Sequence, residues 1–130
     1  MGRTRRTPPF LLAAGFTASG ITHFVRPQYF EPIMPRVLPE SSHRGLIYAS
    51  GAAELVCAWG LVRRTRWASA ASIAVLAAVF PANLQMAVDA GSGRHPGALD
   101  RTDLAWGRLP LQLLMVWAAR QARPLDPTAD

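Results

Sequence analysis

The chain has 130 residues, half of them hydrophobic, with fourteen arginines, no lysine and a formal net charge of +6. That is one domain's worth of polypeptide. Basic charge can serve nucleic acid, but here the arginines fall between apolar runs instead of along one helical face, and no nucleic-acid motif accompanies them. The charge therefore reads as juxtamembrane, with the lipid bilayer and not nucleic acid as the partner. Cys57 is the single cysteine, so no internal disulfide can form, and no metal-ligand spacing surrounds it.

The first apolar run follows Arg3, Arg5 and Arg6 and continues to Val25 without a cleavage signature, which predicts an uncleaved span over about residues 9–25. Pro8 and Pro9 suit its start, and Gly15, Ser19 and Gly20 permit close helix approach on the side that carries His23. Between Arg26 and Arg44 come Pro27, Pro32, Pro35 and Pro39, interleaved with Tyr29, Phe30, Ile33, Met34, Val37 and Leu38. So many prolines exclude a spanning helix, and so many apolar side chains argue against a solvated loop, so an interfacial cap is expected.

Ser41 or Ser42 is expected to cap a second helix over about residues 43–62, with Glu54 near its middle. Such a helix can cross a hydrocarbon layer of about 30 Å. A basic turn, Arg63 to Arg66, leads to a third helix over about residues 67–88, where alanines at 70, 74, 78 and 82 form a small-residue stripe for close packing. A polar loop with Gly91, Gly93, Pro96 and Gly97 precedes a fourth helix over about residues 108–120. That helix has either Pro110 in its first turn or a start upstream near Leu104, and residues 121–130 form a polar tail. The expected fold is an all-α, integral membrane, antiparallel four-helix bundle with a proline-rich interfacial cap between helices 1 and 2. With both termini cytoplasmic, eight arginines lie inside and six outside, the sign that the positive-inside rule asks for.

Within the third helix, Pro81 removes a backbone donor and leaves the Ala77 carbonyl in need of another partner. Asn83 and Gln85 follow, and at least one of them has to face protein or water. Each span thus offers a polar side chain to a single candidate site: His23, Glu54, Asn83 and Gln112. A carboxyl group in a low-dielectric setting needs a partner, and His23 or Arg108 is placed to supply it. Two readings stay open: a hydrogen-bonded network that fixes helix register, or a polar pocket in the outer half that receives a headgroup or a proton.

Five short motifs in order, His23-Phe24-x-x-Pro27-x-x-Phe30, Ile33-x-Pro35-x-x-Leu38-Pro39, Ser50-Gly51-x-x-Glu54, Val79-Phe80-Pro81-Ala82-Asn83-x-x-Met86 and Arg108-Leu109-Pro110-x-Gln112, resemble the DoxX family of small bacterial membrane proteins. The resemblance implies a four-helix protein of the bacterial inner membrane with a quinone-related or redox-accessory role and a redox partner protein. Cys57 alone supplies no dithiol, so any such chemistry would belong to a bound quinone or to the partner. The leading expectation is an accessory protein, not an enzyme by itself, that binds a polar-headed hydrophobic molecule. In it His23 and Glu54 share a proton while Asn83, Gln112 and Arg108 hold the headgroup. The alternatives are a small proton-coupled transporter, which would use a homo-oligomer, and a structural or assembly subunit.

Overall fold

The computed structural model describes residues 7–93 and 101–124. Four α-helices are present among them, α1 (Thr7–Val25), α2 (Glu40–Arg63), α3 (Ala68–Asp89) and α4 (Thr102–Arg120), with two 3-10 turns, Pro27–Tyr29 and Glu31–Ile33, between α1 and α2. No strand occurs among the described residues. The arginines at 3, 5, 6 and 94 that entered the charge count, the loop residues Pro96 and Gly97, and the tail beyond Pro124 lie outside the described residues.

Proline sets most of the boundaries. Pro27 opens the first 3-10 turn and Pro32 is the second residue of the other, positions where a missing N–H costs nothing. The start of α2 is Glu40, with extended Pro39 before it, and not His43 behind a serine cap. Ser42 lies inside the first turn and turns its hydroxyl back to the Pro39 carbonyl, 2.7 Å away. At the other end of α2, Arg64 takes a left-handed conformation (φ 56°), and the Arg64 and Thr65 N–H groups close on the Leu61 and Gly60 carbonyls, an arrangement usually built on glycine.

Of the two starts expected for α4, the upstream one near Leu104 is the closer: the helix begins at Thr102 and not near residue 108. Asp103 occupies its first turn, favourable at a helix N-terminus, and Ala105 is buried against Met86 and Ala87 of α3. Packing thus extends the helix upstream, and Pro110 becomes an interior residue.

Each helix packs on its sequence neighbour, and α4 returns to α1. Directions alternate, because Arg64 Nε, in the α2–α3 turn, donates to the carbonyl of Arg123 just past α4, at 3.3 Å. One apolar cluster, near that turn, includes Leu12, Phe16, Cys57, Leu61, Leu76 and Ala118. A smaller one at the opposite end gathers Ile33, Met86, Ala87 and Ala105, with Phe30 and Leu109 against it. The segment between α1 and α2 therefore covers one end of the helices.

Two helices among those described, α2 and α3, are long and apolar enough to cross a membrane. The inward face of α3 is Ala68, Ser72 and Leu76, while Ala70, Ala74 and Ala78 are exposed. The alanine stripe expected to pack between helices thus points outward. The bulkier Leu76 takes the core face, where it buries more apolar area than an alanine can.

Candidate functional site

Two glycines bring α1 and α2 together. A Cβ on Gly20 would stand 2.9 Å from the Gly51 carbonyl oxygen, and a Cβ on Gly51 would stand 2.6 Å from His23 Cβ and 3.1 Å from the Gly20 carbonyl oxygen. At that crossing the backbones almost touch, and the next inward residues, His23 and Glu54, meet directly. His23 Nδ1 lies 3.5 Å from Glu54 Oε2 and 2.7 Å from the Ser19 carbonyl oxygen. A carbonyl only accepts, so Nδ1 carries the proton in this contact and Nε2 is the second, independent ring nitrogen. Both residues are buried, at 6% exposure each. Glu54 Oε2 has no hydrogen-bond partner. Phe30 covers His23, the two rings stacked with centroids 3.7 Å apart and planes 15° from parallel.

Asn83 and Gln112 form a separate pair between α3 and α4. Asn83 Nδ2 donates to Gln112 Oε1 at 2.8 Å, and Gln112 Nε2 donates to the Leu76 carbonyl at 2.5 Å. The carbonyl served from outside the helix is thus Leu76, one residue before the Ala77 expected from proline geometry. Among the described residues no hydrogen bond or ion pair joins this pair to His23 and Glu54.

Arg108 does not pair with Glu54. Its Nη1 contacts Met86 Sδ at 3.7 Å, near the covered end. Gln85 turns to Asp89, Nε2 to Oδ2 at 2.8 Å, and the same carboxylate oxygen accepts from Arg36 of the covering segment. Asp89 is 4% exposed although it ends α3. Sequence reading placed it at the start of a polar loop. The signal that marks it is Gln85, four residues earlier on the same helical face. Among the described residues no group of three or more His, Cys, Asp or Glu side chains is placed to hold a metal ion.

Fold and site together define an all-α protein with two helices of membrane-crossing length and polar pairs buried between apolar helices. The chain belongs to the family described as a domain of unknown function, DUF8561, whose family model matches residues 12–123. That match overturns the resemblance to the DoxX family. Glycines at a crossing, prolines in a cap and an amide behind a helix-breaking proline are what closely packed apolar helices require in general, so the five motifs do not by themselves mark a family. The quinone and redox expectations came with that resemblance and lose their support with it. Comparison with curated proteins and with solved structures finds no match.

Proposed function

We propose that this chain is an integral membrane protein of four antiparallel spans, in which His23 and Glu54 bind the polar head of a hydrophobic molecule. The membrane reading is supported by where the apolar surface lies. In α3, only 22% of the most apolar window is buried, and in α2 only 39%. A core helix of a soluble protein would bury most of such a window, whereas here Val56, Trp59, Val88, Leu113 and Trp117 are all half-exposed or more. Apolar surface on this scale needs a cover, and hydrocarbon supplies it. At 1.5 Å per residue, the 19-residue helices α1 and α4 extend about 28 Å, close to the thickness of the layer. Arg63, Arg64, Arg66, Arg120 and Arg123 gather at the turn end, which this reading places in the cytoplasm.

The binding reading is carried by one observation: Glu54 Oε2 is buried and has no hydrogen-bond partner. Leaving a buried acceptor unserved costs on the order of 1–3 kcal/mol. A hydroxyl or amine on a ligand head removes that cost, and its apolar remainder lies between the helices or in lipid. The imidazole beside it, held by the Ser19 carbonyl, is oriented to exchange a proton with the same head. The Asn83–Gln112 pair leaves no buried side-chain atom without a hydrogen bond and acts as structure.

Native mass spectrometry of the detergent-extracted protein, with extraction of bound lipid, tests this against Glu54→Gln. Wild type is expected to retain a small amphiphile that the variant loses, with both equally folded. Equal retention by both, or no ligand in either together with a lower melting temperature for the variant, would remove the proposal.

A further inference from the structure

We infer that the segment between α1 and α2 is a lid over the His23–Glu54 pair, latched at its far end by Arg36 on Asp89; this rests on the binding reading above. The covering segment is attached in an unusual way. Among the described residues its backbone-to-backbone hydrogen bonds are local: Tyr29 to Arg26, Phe30 to Pro27, Ile33 to Phe30, Met34 to Glu31 and Leu38 to Pro35. None of these reaches α3 or α4. Glu31 with Arg44, and the His43 ring on the Leu38 carbonyl, tie the segment to α2, and a row of side chains three residues apart, each with a different partner, holds it down on the helices. Phe30 stacks on His23, Ile33 is buried with Met86, Ala87 and Ala105, and Arg36 pairs with Asp89.

These contacts differ in a way that suits opening. The Arg36 side chain is 58% exposed although its partner is 4% exposed, so water and salt reach the cation while the anion stays inside the protein. When Arg36 leaves, Asp89 still accepts from Gln85, so the buried carboxylate keeps a hydrogen bond in the open form. The 3-10 turns on either side of Phe30 make few bonds to break, and Pro27, Pro35 and Pro39 stiffen the strap so that it moves as a unit. The exposed pair of Glu31 with Arg44, at 2.9 Å, joins the strap to α2 and lies on the α2 side, away from the latch. Lifting the row uncovers the His23 ring and opens the way to Glu54.

Carbethoxylation of His23 by diethyl pyrocarbonate, mapped by mass spectrometry on the full chain in detergent, reads this without any ligand. Phe30→Ala takes the cover away and is expected to raise the His23 rate about ten-fold, as for a local opening made permanent. Arg36→Gln removes only the latch and is expected to raise it about five-fold, the population change for one partly screened ion pair. Amide hydrogen exchange should rise over residues 27–38 in Arg36→Gln and stay unchanged around Cys57 and Leu76. A wild-type rate in Phe30→Ala would overturn the lid. A wild-type rate in Arg36→Gln, or faster exchange throughout the chain, would overturn the latch. Ligand retention is measured separately, so a lid that opens in a protein with no ligand would sink the binding reading and leave the movement established.

Discussion

Between α3 and α4, Gln112 accepts from Asn83 and donates to the Leu76 carbonyl, so the amides and a backbone oxygen close on one another. Between α1 and α2, His23 and Glu54 lie 3.5 Å apart, and a carboxyl oxygen is left with no hydrogen-bond partner. Both pairs sit between apolar helices, and in both a polar side chain meets another across a helix boundary. The difference lies in completion. Buried polar groups in folded proteins are nearly always served, so a closed pair needs no explanation beyond helix register. An open one asks for a further partner. A carboxyl group is also the costlier group to keep in such a setting.

The comparison breaks most severely at Gly51. Alanine there would put a Cβ 2.6 Å from His23 Cβ and 3.1 Å from a backbone oxygen of α1, neither of which can move aside without separating the helices. Gly51→Ala is expected to cost about 3 kcal/mol in unfolding experiments in detergent and to abolish ligand retention with it. Gly15, where an added methyl would meet nothing within 4 Å, is the control: Gly15→Ala should be neutral or stabilising by up to about 1 kcal/mol. The closed pair comes next. Gln112→Ala strands the Leu76 carbonyl and the Asn83 amide, and is expected to cost about 2 kcal/mol while leaving ligand retention per folded molecule unchanged. Loss of ligand in a folded Gln112→Ala protein would show that the two pairs form one site.

Much of the helical order was legible because proline and hydropathy speak locally. The runs ending at Val25, Arg63 and Asp89 and the proline-rich cap lie close to their expected places. The start of α4 was legible only as one of two alternatives, the upstream one near Leu104 being the nearer, because Ala105 packing on Met86 and Ala87, which sequence does not display, decides between them. Partner choice was legible only where backbone contact dictates it. Small-residue spacing marked Gly20 and the side of α1 that carries His23, and His23 was one of two partners expected for Glu54, whereas the pairing of Asn83 with Gln112 and of Asp89 with Arg36 depends on how α3 is rotated. The alanines at 70, 74 and 78 gave the wrong rotation, since a stripe of small residues looks equally suited to a helix neighbour or to an open face. Sequence also suggested a family that the match over residues 12–123 corrects.

Ser72 provides the smallest effect and the sharpest control on reading an orphaned oxygen. Its Oγ is fully buried in α3 with no hydrogen-bond partner, and its polar neighbour is the Cys57 thiol of α2, a weak donor. If an unserved hydroxyl merely costs desolvation, Ser72→Ala should leave stability unchanged or raise it by up to about 1 kcal/mol, since the methyl fills nearly the same space. Ligand retention should not change, because Cys57 lies in the apolar cluster at the turn end, away from the covered end, and Ser72 is buried in α3 beside it. A loss of more than about 1 kcal/mol would mean that the thiol–hydroxyl contact is a true bond. An orphan defined by geometry would then be a poor guide in this protein, and Glu54 Oε2 would need ligand retention alone to support its role.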